Sequence, residues 1–287
     1  MTMGNEGLVK DLEAKARKLR LASLFVMKEM GIGWLGGSFS SADVVTALLF
    51  HHMRHDPKNP RWPERDRLIV SKGHSCEIVY AALAEAGYFP REELTTYSHP
   101  GARLQTHVNT MTPGIEYSGG SLGLGLSFAV GSAAGAYIHA TDANLAAATR
   151  RYRDKYRVYC IVGDGECNEG QVWEAAMNAA HHRLDNLTVV LDNNRFQSTG
   201  AVEKTLNTLS LAEKFRSFGW EVREIDGNNM SDVIAALDWA VGVHGKPQAI
   251  IAHTVKGKGV PAYENTNCHF IKITDELIRI GQEALKD

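Results

Sequence analysis

Two polar turns, 30 residues apart, hold the residue types best suited to chemistry. Asp164 lies between two glycines directly after the apolar run RVYCIV at 157–162, and Asn194 follows the apolar run LTVVLD at 187–192. If both runs are neighbouring parallel strands, their carboxyl ends meet at one edge of a sheet, where open α/β folds bind ligands. Carboxylate and amide oxygens suit Mg²⁺, whose remaining positions usually go to phosphate oxygens and water. The spacing therefore predicts a metal and phosphate site.

The glycines that flank Asp164 fit the same hypothesis. Phosphate oxygens can approach backbone N–H groups where no Cβ intrudes, and Gly163 and Gly165 have none. A helix expected to begin near residue 170 adds the positive end of its dipole. Taken alone, a Gly-Asp-Gly turn is usually a tight strand-to-helix connection, and Asn-Asn is common in loops. The two turns together, at this spacing, favour the metal and phosphate site.

The elements that must position these turns alternate along the second half of the chain. Strands are predicted at 157–162, 187–192, 220–226 and 248–255, and helices near 171–184, 211–218 and 231–242. This order is typical of right-handed βαβ units, whose parallel sheet is covered by helices on both faces. The predicted fold class is α/β, with residues 1–287 forming one domain.

The first half of the chain is expected to add helices and loops. A helix over 6–30 precedes the segment GWLGGSFS, which is expected to be a glycine-rich loop, and Ser40 or Ser41 is expected to cap the next helix. The run RDRLIV predicts a strand, 75–87 a helix, and 97–121 a long ordered loop of the kind that usually carries function. The small residues of SLGLGLSFAVGSAAGAY predict a closely packed helix.

Composition argues against several classes of protein. The 287 residues are 44% apolar and 22% charged with a net charge of −2, so there is no broad basic field for nucleic acid or an anionic membrane. The four cysteines have no CxxC spacing, which favours free thiols in a reducing cytosol. No apolar stretch reaches about 18 residues, and the start of the chain lacks a signal-peptide pattern. We expect a cytoplasmic protein without nucleic-acid or membrane partners.

Six segments give the chain a resemblance to a known family. They are SKGHS, HPGARLQTHV, PGIEYSGGSLGLG, GDGECNEGQVWEAAMNAAHH, LDNNRFQSTG and VKGKG. The Gly-Asp-Gly turn, followed 30 residues from its Asp by Asn194, resembles the diphosphate-binding motif of thiamine diphosphate enzymes. The SKGH and SGGSLGLG segments are similar to the transketolase branch of those enzymes. The chain is thereby identified as a member of the transketolase family with its thiamine diphosphate-binding fold.

The resemblance implies a cofactor site. Asp164, the Asn194 side chain and the Phe196 carbonyl would bind Mg²⁺, or Ca²⁺ or Mn²⁺ in its place. The Gly165 N–H and His74 would hydrogen-bond the diphosphate of thiamine diphosphate. The other cofactor-binding positions that it implies are Gly120, Leu122, Gly163, Glu166 and His269.

The same resemblance implies residues near the reaction. His107 takes the place of a histidine that contacts the C1 hydroxyl of the donor sugar, and His269 that of another active-site histidine. Glu169 matches a glutamate at the interface between paired active sites, and His74 completes the catalytic set. For His269 a purely structural role is an equal alternative.

Three further features qualify the resemblance. Trp34 stands where most transketolases have a histidine, so a proton donor is exchanged for an apolar surface, which leaves room for sulfonated, branched or deoxy sugars. Lys256 and Lys258 in VKGKG could bind phosphate or lie in a solvated turn. The glycine run SGGSLGLG does not predict a dinucleotide site, because no strand precedes it.

The chain matches the first of the three domains of a full transketolase. The pyrimidine-binding and C-terminal domains are therefore expected on a partner chain, in a heterotetramer. The resemblance predicts the N-terminal subunit of a split transketolase, which moves a two-carbon ketol unit from a ketose to an aldose acceptor. Two alternatives remain: a pyruvate-using synthase akin to deoxyxylulose phosphate synthase, and a non-catalytic cofactor-binding subunit.

Overall fold

A five-stranded parallel sheet lies at the centre of the computed structural model, which describes residues 3–141 and 156–286. Its strands are β1 (Arg67–Val70), β2 (Val158–Gly163), β3 (Leu187–Asn193), β4 (Glu221–Asp226) and β5 (Gln248–His253). They lie in the order β1-β2-β3-β5-β4, and every neighbouring pair is parallel. The α/β fold class is confirmed, and each strand lies within about two residues of its predicted limits.

Helices follow and flank these strands. In chain order they are α1 (Met3–Met30), α2 (Leu35–Ser40), α3 (Ala42–Ala47, continued by a π-helical turn at Leu48–His52), α4 (Cys76–Ala86), α5 (Leu124–Thr141), α6 (Gly170–His181), α7 (Val202–Thr205), α8 (Leu211–Ser217), α9 (Met230–Val241) and α10 (Asp275–Ala284). Helix α6 ends three residues before its predicted limit, because Arg183 adopts a positive φ of 51°.

Both faces of the sheet are covered, as predicted. Alternate residues of a strand point to opposite faces. Tyr159 and Ile161 of β2 join a core with α1, α3, α4 and α9, whereas Cys160 and Val162 join a core with α5, α6 and α8. The sheet therefore separates two hydrophobic cores, and its strand ends are held from both sides.

The glycine-rich segment GWLGGSFS is not the expected loop. Residues 35–40 form the buried helix α2, and close packing accounts for its glycines: a Cβ on Gly36 would lie 2.5 Å from Lys256 Cε and one on Gly37 2.7 Å from Ser75 Oγ. Ser41 occupies the N-cap position of α3, as predicted, but neither serine side chain makes a capping hydrogen bond. The Ser40 hydroxyl donates to Asp192 at 2.7 Å and the Ser41 hydroxyl to the Gly37 carbonyl at 2.8 Å.

The long loop and the cysteines agree with the predictions from the sequence. Residues 97–121 contain no helix or strand and connect α4 to α5, as expected for a long loop. All four cysteines are buried free thiols. Among the described residues, no helix combines the length and apolar character needed to cross a bilayer.

Candidate active site

A cavity of about 420 Å³ lies where β2 and β3 end. Its lining includes every residue that the sequence analysis assigned to catalysis, cofactor or metal: His74, His107, Gly120, Leu122, Gly163, Asp164, Gly165, Glu166, Glu169, Asn194, Phe196 and His269. Trp34 and Lys256 also line it, with five residues that the sequence analysis did not single out: Gly37, Lys72, Asn168, Gln197 and Ser198. Only the fold brings these distant positions together.

One group of cavity residues presents oxygen atoms, and we call Asp164, Asn194 and the Phe196 carbonyl the oxygen cluster. Strand pairing sets Gly163 beside Asp192, so the turns after β2 and β3 are adjacent. The Asp164 carboxylate accepts from the Gly165 N–H at 2.7 Å and from the Arg195 N–H. Burial, and then the nearby Asp192 carboxylate, raise the pKa of Asp164 to about 7. Asp164 is thus a buried carboxylate that lacks a full counter-charge.

Asp192 orients the Asn194 side chain of the oxygen cluster, and this role was not predicted from the sequence. Its buried carboxylate accepts from the Asn194 amide at 3.0 Å, and also from Lys72 and Thr254. Burial alone would raise the pKa of Asp192, but the Lys72 ammonium holds it below the ordinary value. The amide nitrogen of Asn194 is therefore committed to Asp192, which leaves its oxygen to accept from the Phe196 N–H at 3.1 Å and to serve a cation.

The oxygen cluster fits a hard divalent cation. Its donors are a carboxylate, an amide and a backbone carbonyl, the types that Mg²⁺ and Ca²⁺ prefer. Burial and the Asp192 carboxylate raise the pKa of Asp164 by disfavouring its charged form, and a bound cation would favour that form again. Among residues 3–141 and 156–286 no group of three or more His, Cys, Asp or Glu could hold a metal. The set therefore suits a cation that is shared with a phosphate rather than one enclosed by protein.

The N–H groups of the two turn glycines donate to neighbouring carboxylates in this structure, and their contact with a diphosphate stays a prediction. The Gly163 N–H donates to Glu166 at 3.0 Å, and the Gly165 N–H donates to Asp164, so both groups already have carboxylate acceptors. A Cβ on Gly165 would lie only 2.6 Å from Gln197 Cβ. The buried Glu166 carboxylate also accepts from the Gly123 N–H at 2.8 Å, so it joins the segment SGGSLGLG to the turn after β2.

A second group, which we call the imidazole cluster, consists of His74, His107 and His269 around the Trp34 indole. Their ring centroids lie 5.3, 5.6 and 5.3 Å from that of Trp34. Burial lowers the pKa of all three histidines, that of His74 well below the ordinary value and that of His269 to about 4. At neutral pH each ring is uncharged and offers one donor and one acceptor, which suits proton exchange with hydroxyl and carbonyl groups.

Trp34 is held firmly within this cluster. Its backbone N–H donates to the buried Glu77 carboxylate at 2.9 Å, and antiparallel pairing of Gly33 with Ile271 brings it beside Phe270, with ring centroids 4.2 Å apart. The indole Nε1 is buried, and no hydrogen-bond partner for it exists in the described part of the chain. Trp34 thus places a large, mainly apolar ring among the polar rings of the cavity, with one N–H donor that has no protein partner among the residues described there.

Lys256 joins the two clusters, whereas Lys258 does not reach the cavity. The buried Lys256 ammonium donates to the Phe196 carbonyl at 3.3 Å and contacts His269 Nδ1 at 3.1 Å. Burial lowers the pKa of Lys256 to about 8. Lys258 instead pairs with Glu264 at 3.7 Å in a partly exposed turn. The solvated-turn alternative therefore fits Lys258, whereas phosphate binding by Lys256 stays a prediction.

Comparison with known proteins identifies the family. The family model for the transketolase, thiamine diphosphate binding domain matches residues 12–284. The 6-deoxy-6-sulfo-D-fructose transketolase subunit SqwG of Clostridium sp. (strain MSTE9) is 41% identical over 278 residues, with 96% of each chain covered. An apulose-4-phosphate transketolase subunit of Actinobacillus succinogenes is 38% identical over 282 residues, again with 96% of each chain covered. The chain therefore aligns with nearly the whole of two proteins named as subunits.

Solved transketolases share this fold over part of their length. The Campylobacter jejuni enzyme superposes with a TM-score of 0.87 and 30% identity, covering 99% of this chain and 43% of that one. The Leishmania mexicana enzyme superposes with a TM-score of 0.87 and 29% identity, covering 96% of this chain and 41% of that one. The chain spans less than half of these enzymes. It belongs to the transketolase family and comprises the thiamine diphosphate binding domain of that family.

Proposed function

We propose that this chain is the N-terminal subunit of a split transketolase. With a partner chain it transfers a two-carbon ketol unit from a ketose to an aldose acceptor, using thiamine diphosphate and a divalent metal, with Mg²⁺ as the first choice. The observation that carries the proposal is the convergence of the oxygen cluster and the imidazole cluster on one cavity at the strand ends. The first suits a metal-bound diphosphate and the second suits a sugar, as a ketol-transfer site requires.

The oxygen cluster is proposed to hold the diphosphate through the metal, with Asp164, Asn194 and the Phe196 carbonyl as protein ligands. When bound, thiamine diphosphate supplies the carbanion chemistry that breaks and forms the sugar carbon–carbon bond. His74 and Lys256 lie beside this position and offer hydrogen-bond donors to phosphate oxygens. Gly120 leaves open space where a Cβ would stand, which suits close approach by a cofactor ring.

The imidazole cluster is proposed to serve the sugar. A neutral imidazole can donate a hydrogen bond through its N–H and accept a proton at its other nitrogen, so the His107 and His269 rings can bind sugar oxygens and one of them can act as a base. Glu169 lies at the exposed start of α6, against Gly123, where a second active site can reach it. Its assignment to an interface between paired sites stays a prediction.

A partner chain is proposed to cover an apolar face beside the cavity. On α5 the side chains of Leu124, Phe128 and Ile138 are 45%, 44% and 57% exposed, and Met177 on the adjacent α6 is 50% exposed. Apolar side chains clustered in this way mark protein interfaces. The partner would carry the pyrimidine-binding and C-terminal domains, and two copies of each chain would form a heterotetramer. The four buried free thiols of this chain support a cytoplasmic location for the heterotetramer.

The proposal is tested by two-carbon transfer in a mixture of this chain with its partner, supplied with thiamine diphosphate, Mg²⁺, a ketose donor and an aldose. Donors should include sulfonated and branched ketoses, because relatives are named for 6-deoxy-6-sulfo-D-fructose and apulose-4-phosphate. His107→Ala is expected to lower kcat by about 100-fold or more, the usual loss for a proton-transfer group. His99→Ala changes an exposed residue of the same loop and should leave kcat unchanged. Equal rates in all three proteins would favour the non-catalytic alternative.

Trp34 favours one second candidate, a pyruvate-using synthase, because a donor without a C1 hydroxyl needs no polar contact at the indole. Hydroxypyruvate differs from pyruvate only by a hydroxyl that corresponds to the C1 hydroxyl of a ketose. Measuring the release of carbon dioxide from each compound therefore separates a transketolase from a pyruvate-using synthase. Transketolase activity predicts release from hydroxypyruvate alone.

Replacing Trp34 by His tests the effect of this ring on substrate choice. The indole has only an N–H donor, whereas the imidazole would add an acceptor nitrogen, and a partner for a buried hydroxyl is worth about 1–3 kcal/mol. We therefore expect Trp34→His to raise the ratio of kcat/KM for hydroxypyruvate over pyruvate by about 10-fold, while Trp34→Phe leaves the ratio within about twofold. A ratio that Trp34→His does not change would show that the indole has no part in selecting the donor.

A further inference from the structure

Lys256 contacts one nitrogen of a histidine in the imidazole cluster. Its ammonium lies 3.1 Å from His269 Nδ1. An ammonium group has three donors and no acceptor, so a hydrogen bond between them requires that Nδ1 accept. A neutral imidazole carries one proton, which must then lie on the other nitrogen, Nε2.

The structure holds this contact in place from the lysine side. Lys256 is only 1% exposed, and its stem passes over Gly36, where a Cβ would lie 2.5 Å from Lys256 Cε. The ammonium is also anchored by the Phe196 carbonyl at 3.3 Å. Backbone hydrogen bonds from Gly36 to the Cys268 carbonyl and from Gly257 to the Gly36 carbonyl, at 2.8 and 3.3 Å, join the segments that carry Lys256 and His269. The lysine therefore cannot easily turn away.

The other ring nitrogen remains for a ligand. His269 lines the cavity, and within residues 3–141 and 156–286 its Nε2 has no hydrogen-bond partner. The ring also packs against His74 and Trp34, with centroids 4.9 and 5.3 Å away, which limits its rotation. A ring that is fixed in this way presents a single, defined group at Nε2.

We propose that Lys256 is a positioning residue that fixes the tautomer of His269, so that His269 presents an N–H donor to the substrate and not a base. The contact between His269 and a substrate rests on the proposed function, whereas the tautomer of His269 does not. A donor at this position would bind a sugar carbonyl or hydroxyl oxygen. A different ring of the imidazole cluster, such as His107, would then have to accept protons.

Long-range ¹H–¹⁵N correlation spectra of the full chain at pH 7 test the proposal without any enzymatic activity. The His269 signals are identified by their loss in His269→Gln. The expected result is a protonated Nε2 and an unprotonated Nδ1 for His269, in one tautomer. A protonated Nδ1 in the wild-type chain would overturn the proposal, and this outcome requires no variant at Lys256.

Variants at Lys256 then separate positioning from packing. Lys256→Met has a similar length but no donor, so we expect a mixture of His269 tautomers and a pKa for His269 that rises toward the ordinary value of about 6.5. Lys256→Arg retains a cationic donor and should restore the single tautomer and the lowered pKa. If Lys256→Met folds and leaves both the tautomer and the pKa of His269 unchanged, the lysine does not position that ring. Transfer activity enters neither comparison, so a failure of the proposed function would be recognised separately.

Discussion

Replacing Asp164 by Asn is expected to remove metal-dependent binding of thiamine diphosphate while leaving the fold intact. The substitution takes away the only carboxylate of the oxygen cluster. Loss of a residue that merely orients a metal ligand costs about 10–100-fold in affinity, so loss of the charged ligand itself should cost at least about 100-fold. Calorimetric titration of the cofactor with Mg²⁺ measures the affinity, in the presence of the partner chain.

The stability of the Asp164→Asn variant is expected to behave differently. Burial and Asp192 raise the pKa of Asp164 to about 7, so the folded state binds its proton more tightly than the unfolded state does. The wild-type protein therefore loses stability as pH rises from about 4 to about 7, and the variant does not. At pH 8 the variant avoids the cost of a buried charge at this position, and this offsets the loss of the hydrogen bond to the Arg195 N–H. The free energy of unfolding of the variant should therefore not fall by more than about 1 kcal/mol below that of the wild-type protein.

Asp192→Asn is the matched control, because it removes a buried carboxylate from the next strand end. Asp192 is paired with Lys72, and its pKa is lowered, so its loss should destabilise the protein at pH 8. An Asp164→Asn variant that kept full affinity for the cofactor and metal would contradict the assignment of Asp164. Equal losses of stability in Asp164→Asn and Asp192→Asn would also contradict the assignment of Asp164.

Lys72→Met is expected to lower the free energy of unfolding by about 3–5 kcal/mol, the usual cost of removing one partner of a buried ion pair. The Lys72 ammonium pairs with Asp192 and donates to the Gly37 carbonyl at 2.9 Å, and both side chains are nearly inaccessible to solvent. Methionine keeps the length of the side chain but leaves the Asp192 carboxylate without a counter-charge. Urea unfolding at pH 8, without cofactor, measures the loss.

The double variant Lys72→Met with Asp192→Asn tests whether the loss comes from the pair. Removing both charges leaves no uncompensated ion, so the double variant should be more stable than the sum of the single losses predicts, by about 1–3 kcal/mol. Losses that added within about 0.5 kcal/mol would mean that Lys72 and Asp192 stabilise the fold independently.

The strand ends that carry the site could be predicted because their signals are local. An apolar, β-rich run followed by a polar turn and a helical pattern identifies both β2 and β3 without reference to the rest of the chain. From there, the geometry of parallel sheets places Asp164 beside Asn194. The remaining site residues, such as His107 and His269, followed from the family resemblance, because nothing in a lone histidine distinguishes a cavity from a core.

The features that sequence reasoning missed depend on contacts between distant segments. The pairing of Lys72 with Asp192 joins residues 120 positions apart, and no local pattern near either one indicates it. Helix α2 was expected to be a loop because glycine lowers helix propensity. Its conformation is instead fixed by packing against Lys256 and the Cys268 carbonyl, which tolerate no Cβ at Gly36.

Cofactor binding by the split enzyme can be measured by titrating thiamine diphosphate with Mg²⁺ into this chain, first alone and then mixed with the product of the adjacent reading frame. We expect tight binding only in the mixture. We also expect binding to disappear when the metal is chelated or when Asp164 is replaced by Asn. Absence of binding both alone and in the mixture would contradict the metal and diphosphate site built from Asp164 and Asn194.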